Sequence, residues 1–161
     1  MKSVLIIIRG NSGSGKTFLS NRLQKHFGYQ NCLVLHQDVI RRDILHAGDR
    51  IGTLAVGLIE IMVEYGLKNY PIVILEGILR KDVYGQMLHK LVFENKSLVY
   101  YLDIPFEKTL QRDQLKKSPF GSKKLESWWR KQDYLDKDDI ILNDEQADNW
   151  YEQILDDIKN S

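Results

Sequence analysis

Cysteine, proline and unbalanced charge are all scarce in this chain. Cys32 is the one cysteine in 161 residues, which excludes an intramolecular disulfide and any metal site built on a cysteine cluster. The three prolines, Pro71, Pro105 and Pro119, fall at apparent element edges. No Pro/Gly/Ser-rich linker, internal repeat or low-complexity tract interrupts the chain, so its length predicts a single domain. Lys plus Arg is 23 and Asp plus Glu is 22, a formal net charge of +1, which excludes a predominantly basic nucleic-acid coat and leaves room only for a local basic patch. Long apolar runs are missing too. The longest near the N-terminus, Val4 to Ile8, is too short to span a bilayer and has neither the apolar core nor the cleavage site of a signal peptide. The expectation is a cytoplasmic protein with no membrane partner.

What is present is a series of short apolar runs: Val4–Ile8, Cys32–Leu35, Ile72–Leu75 and Leu98–Leu102, with a weaker fifth at Ile140–Leu142. They do not alternate with polar residues, the pattern of strands buried on both faces. Helical periodicity fills the intervals: Phe18, Leu19, Leu23 and Phe27; Leu54, Leu58, Ile61, Met62 and Tyr65; Val83, Met87, Leu88, Leu91 and Val92; Phe106 to Lys116; and Ala147, Trp150, Tyr151, Ile154, Leu155 and Ile158. Strands alternating with helices predict βαβ units and a three-layer α/β/α sandwich. Ligands bind such sheets beyond the carboxyl ends of the strands, so functional residues are expected just after each apolar run.

After the first run comes Gly10-Asn11-Ser12-Gly13-Ser14-Gly15-Lys16-Thr17, which satisfies G-x-x-x-x-G-K-[ST] at every position, between a strand and an amphipathic helix. The glycines let the backbone wrap around phosphate oxygens with N–H groups turned inward, at a helix N-terminus whose dipole favours anions. Lys16 is expected on the β- and γ-phosphates and Thr17 on Mg²⁺. The motif specifies a nucleoside triphosphate but not its use. The guanine-reading N-K-x-D is absent, and the chain is short for a motor ATPase with a helical lid domain, which leaves chiefly small phosphoryl-transfer enzymes.

The second run leads into His36-Gln37-Asp38-Val39-Ile40-Arg41-Arg42. Asp38 at a strand end is placed either to take a proton from an attacking hydroxyl or simply to cap a helix. Arg41, three residues on, is expected to hold an anionic part of an acceptor or to pair with Asp38. Glu76, after the third run, is a candidate for Mg²⁺ through water or for the acceptor. Asp103, two residues before Pro105, reads as a helix start. His26, His36, His46 and His89 lack metal-ligand spacing, although His36 is near Asp38, and Cys32 reads as a buried hydrophobe.

Gly10–Thr17 together with Asp38-x-x-Arg41 resembles the P-loop small-molecule kinases: zeta-toxin-like kinases, chloramphenicol phosphotransferase and the kinase domain of phage polynucleotide kinase, and more distantly shikimate and adenylate kinases. The resemblance implies a P-loop NTPase fold with a five-stranded parallel sheet in the order 2-3-1-4-5. It also implies ATP and Mg²⁺ as cofactors, Asp38 as general base, Arg41 as a substrate-holding residue, and an acid at Glu76. Finally it implies a lid, at about 113–125, that closes over the phosphates. Arg112 matches the arginine that opens this lid, beside the adenine or phosphates. Lys116 and Lys117 stand where the family often has a second arginine, a departure that leaves the contact to the transferred phosphate open among Arg112, Lys116, Lys117 and Arg130, because lysine lacks the bidentate fork.

Charge is segregated around that lid. Residues 112–131 carry a net +5 and residues 132–161 a net −8; the acidic tail reads as a solvated helix face. Of the adjacent Trp128 and Trp129, one is expected in the core and the other on the acceptor pocket or a base. With Lys123 and Lys124 near, a nucleic-acid end is a possible ligand. The leading expectation is an ATP- and Mg²⁺-dependent kinase acting on a hydroxyl of a small molecule, of nucleoside, nucleotide-sugar or antibiotic type. The alternatives are a nucleic-acid 5′-hydroxyl kinase and a non-catalytic ATP-binding regulator. ATP against GTP preference and oligomeric state are not legible.

Overall fold

In the computed structural model, which describes residues 2–161, the five apolar runs become five parallel strands: β1 (Val4–Gly10), β2 (Cys32–His36), β3 (Ile72–Gly77), β4 (Ser97–Asp103) and β5 (Ile140–Asn143), in the order β2-β3-β1-β4-β5. β1 is central, with Ile6 opposite Ile74 of β3 on one side and Leu98 of β4 on the other. Its side chains divide by parity. Leu5 and Ile7 enter a cluster under α3 (Ala55–Asn69) and α4 (Lys81–Glu94), whereas Val4, Ile6 and Ile8 enter a second cluster under α1 (Lys16–Phe27) and α7 (Trp150–Asn160). Both faces are thus covered, which explains the unbroken apolar run. Each such buried aliphatic side chain contributes roughly 2 kcal/mol of transfer free energy. The sheet is the 2-3-1-4-5 sheet expected, and among the described residues no helix is long and apolar enough to cross a membrane.

Five short elements complete the chain. α2 (Gln37–Val39) runs directly into a wider π-helical turn at Ile40–Ile44; α5 (Phe106–Gln114) and α6 (Ser122–Trp128) flank the loop between β4 and β5, and a 3₁₀ stretch at Asp144–Asn149 precedes α7. α5 stops two residues short of the expected Lys116. The Asp113 carboxylate turns back to accept the N–H groups of Phe120 (3.0 Å) and Gly121 (2.9 Å), which draws the following loop across the helix end.

α3 forms where its periodicity places it, but on a different face. It buries Ala55, Ile59, Val63 and Gly66, while Leu54, Ile61 and Tyr65 are exposed. Gly66 fixes the rotation. A Cβ there would stand 2.8 Å from Leu33 and 2.9 Å from Val73, so the helix rests on the sheet at this glycine, whereas its other glycine, Gly57, faces open space. The tryptophans also differ from expectation. Neither is core: Trp128 ends α6 and Trp129 lies beyond it, both half-buried, with Trp129 edge-on to Phe106 at 5.4 Å. Cys32 is buried, and burial pushes its thiol up to about 12.

Candidate active site

The carboxyl ends of β1, β2 and β3 open into one cavity of about 570 Å³, whose walls include Ser12, Gly13, Lys16, Thr17, Asp38, Arg41, Glu76 and Lys116. Residues expected from four separate stretches of sequence therefore meet in one place. The loop from Gly10 to Thr17 forms its floor. Gly15, at φ 101°, supplies the left-handed turn that starts α1, and the two residues next to it are the buried Lys16 and Ser14. Lys16 Nζ donates to the Asn11 carbonyl (2.8 Å) and lies 3.3 Å from the Ser14 hydroxyl. Burial lowers its pKa to about 8, against the pull of Glu76 and Asp38.

Thr17 donates its hydroxyl hydrogen to Glu76 Oε1 at 3.0 Å, and Glu76 is almost fully buried at the end of β3. His36 Nδ1 lies 2.7 Å from the same carboxylate oxygen, and this hydrogen bond raises the His36 pKa. Hydroxyl and carboxylate oxygens side by side are the hard donor set that suits Mg²⁺. The loop amides, the helix N-terminus and the buried lysine suit a triphosphate. His36, expected to be structural, thus reaches the site by bracing Glu76.

Asp38 is in the first turn of α2, past its N-cap, and is exposed to the cavity; its Oδ1 accepts the Val39 N–H at 2.9 Å. It does not pair with Arg41. The π-helical turn winds more residues per turn than an α-helix, and it carries Arg41 away to the Ala47 carbonyl (3.0 Å) and Asp49 (3.7 Å). Asp49 in turn accepts the Tyr84 hydroxyl at 2.7 Å. Gln37 completes this buried group with a 2.9 Å bond to Tyr84.

Arg112 is an expected site residue that stays off the cavity wall. It is bonded to the Gly13 carbonyl at 3.0 Å, against the outside of the phosphate loop. Its helix lies across the loop from the cavity, so its guanidinium meets backbone rather than the interior. Asn11 faces away from the cavity as well. Its side chain accepts the Arg130 N–H (2.8 Å) and donates to the Arg130 carbonyl (2.7 Å). Gly10 and Ser14 are off the cavity wall, both buried within the loop. From the expected lid, 113–125, Lys116 and Phe120 line the cavity, and Phe120 packs edge-on to Trp128 at 5.0 Å. Lys117 is outside the wall.

Sequence reading missed Gln37, Arg42, Asp49 and Arg80 as cavity residues, and left Trp128 and Arg130 undecided. Arg42 and Arg80 had a usable signal, since each follows a strand within a few residues. Asp49 had none, because it belongs to the irregular stretch between the π-helical turn and α3.

Residues 1–51 match the family model for zeta toxin. A uridine kinase from Geobacillus sp. (strain WCH70) is 44% identical over 45 residues, which is 28% of this chain and 21% of that protein, so the chain matches about a fifth of that relative's length. Among solved structures, the Mycobacterium tuberculosis APS kinase CysC in complex with AMPPNP and APS superposes with a TM-score of 0.70 over 98% of both chains, at 13% identity. A gluconokinase from Sinorhizobium meliloti 1021 superposes with a TM-score of 0.63 over 88% of this chain and 82% of its own, at 14% identity. The fold is therefore that of the P-loop kinases, carrying a nucleotide-type phosphate loop.

Proposed function

We propose that the chain is an ATP- and Mg²⁺-dependent phosphotransferase that moves the γ-phosphoryl group onto a hydroxyl of a small molecule. One observation carries the reading: Asp38 shares a single cavity with Lys16, Thr17 and Glu76, so a carboxylate stands free opposite a triphosphate cradle. A pure binding module has no need of that carboxylate, whereas phosphoryl transfer to an alcohol needs a group to accept its proton.

The loop Gly10–Thr17 would hold the triphosphate, and Thr17 with Glu76 would hold Mg²⁺. Mg²⁺ held there by Thr17 and Glu76 would supply neutralisation of the charge that develops on the phosphoryl group. Lys16, freed from the Asn11 carbonyl, carries its charge to the γ-phosphoryl oxygens. Glu76 is held in orientation by His36. Asp38 accepts the acceptor's hydroxyl proton as the new P–O bond forms and the bond to the ADP leaving oxygen breaks. Lys116 and the segment around Phe120 exclude water, so that transfer outcompetes hydrolysis. Arg112 supports the loop from behind by fixing the Gly13 carbonyl.

The test is transfer of labelled γ-phosphate from ATP–Mg²⁺ to a panel of nucleosides, nucleotides, sugars, hydroxylated antibiotics and a 5′-hydroxyl oligonucleotide. Label on a small molecule, lost in Asp38→Asn and Lys16→Ala, is the expected result. Label on the oligonucleotide alone, or ATP binding with no acceptor labelled, would overturn it.

A further inference from the structure

Three arginines that no step above uses also line the cavity: Arg42, Arg80 and Arg130. Of the other charges there, Asp38 is free, Lys116 lies 3.7 Å from Asp113, and the rest are engaged. Arg41 is paired with Asp49, Glu76 is engaged by Thr17 and His36, and Lys16 belongs to the phosphate loop. The three arginines share a single carboxylate. Asp82 lies 2.6 Å from Arg80 and 4.0 Å from Arg130. Among the described residues Arg42 has no acidic partner; its guanidinium lies 5.8 Å from the Phe120 ring centre and 5.9 Å from that of Trp128. Three cations against Asp82 and the free Asp38 leave a local surplus of about one positive charge.

The backbone that presents two of these arginines is fixed at some cost. Leu79 (φ 46°) and Gln132 (φ 49°) are non-glycine residues in the left-handed region, a conformation that costs about 1–3 kcal/mol each. Arg9, the fully buried residue before the phosphate loop, holds both segments. It donates from Nε (3.1 Å) and a terminal nitrogen (2.8 Å) to the Leu79 carbonyl, and it binds the Asp133 carbonyl (2.6 Å) and carboxylate (2.9 Å). Arg130 is further pinned, N–H and carbonyl both, by Asn11. Strained loops tied to the root of the phosphate loop do not suit arginines that merely face solvent. They suit guanidiniums set at a chosen distance from the phosphate loop.

Resting on the kinase reading above, we propose that Arg42, Arg80 and Arg130 form an oxyanion subsite, so that the acceptor is a hydroxyl compound already bearing a phosphate-type dianion. Guanidinium forks match such an anion, and three guanidiniums around one cavity offer more donors than a lone carboxylate uses. Trp128 and Phe120 supply an apolar wall for the body of the molecule.

The test fills the phosphate loop with AMPPNP and Mg²⁺, then titrates inorganic phosphate into the full chain, with acetate as the monoanion control, by calorimetry and tryptophan fluorescence. Saturable phosphate binding in the millimolar range is expected, weakened at least about tenfold in Arg42→Gln and in Arg130→Gln and only partly restored in Arg42→Lys. AMPPNP affinity should not change in these variants. No saturable phosphate binding, equal binding of acetate, or variants that lose AMPPNP instead would each overturn the subsite. The two readings fail separately. Arginine-dependent phosphate binding without any transfer refutes the kinase and leaves the subsite. Transfer to a neutral acceptor with KM unmoved in Arg42→Gln and Arg130→Gln refutes the subsite and leaves the kinase.

Discussion

The two walls of the cavity are built in opposite ways. The phosphate-loop wall is local: eight consecutive residues supply the amides, the lysine and the threonine hydroxyl, and α1 follows at once. The acceptor wall is assembled from α2 and its π-helical turn, the loop after β3, and the 116–130 segment, with Arg9 and Asn11 as ties between them. Backbone amides bind a triphosphate whatever side chains surround them, so one short motif suffices. Recognition of an acceptor depends on side chains whose positions are set by distant parts of the chain. The first wall would therefore serve many chemistries, and the second decides which one.

Changes confined to one wall should leave the other intact. Asp38→Asn should have the largest effect, lowering kcat by about 10²–10⁴-fold while AMPPNP affinity stays at the wild-type value; a parallel loss of nucleotide binding would show that the walls are not separable. Lys16→Met should cut transfer by about 10²–10³-fold, through lost stabilisation of charge on the γ-phosphoryl. It should also raise the melting temperature of the nucleotide-free protein, because it removes a charge that burial disfavours. A lower melting temperature would refute that account of Lys16.

Arg9→Met tests the tie between the walls. It strands Asp133 and releases Leu79, and should destabilise the fold by roughly 3–5 kcal/mol in urea titrations. In whatever folds, the acceptor KM should rise far more than the ATP KM. The smallest effect is on pH. Lys16 titrates at about 8 in the nucleotide-free protein, below the ordinary lysine value of 10.5, whereas a bound triphosphate favours the charged form. AMPPNP affinity should fall by up to about tenfold per pH unit above pH 8. Over the same interval the nucleotide-free protein gains stability as pH rises, because the unfolded chain holds a proton that the folded one has released. Calorimetry from pH 7 to pH 10 measures both, and a flat affinity profile would place Lys16 outside the binding step.

How much of this was legible in advance follows the same division. The strands could be read because burial on both faces leaves unbroken apolar runs, and Lys16, Thr17, Asp38 and Glu76 because each follows such a run. The buried face of α3 could not be read. Leu54, Ile61 and Tyr65 are as apolar as the residues it buries, and the rotation is set by the approach of Gly66 to Leu33 and Val73. Of the two roles open to Arg41, pairing with Asp38 failed because their spacing was read on an α-helix, whereas the chain continues as a π-helical turn.

The sequence alone determined the sheet, the phosphate loop and the acidic residues at the strand ends, since each rests on contacts among neighbours or on a simple burial pattern. Only the tertiary structure decided that Arg112 braces the loop from outside and that Asn11 holds Arg130. It also decided that Arg42, Arg80 and Arg130 line the cavity that holds Asp38. Those arrangements join residues more than 30 positions apart, and the distance between two such side chains is fixed by the packing of the elements that carry them, which no local pattern encodes.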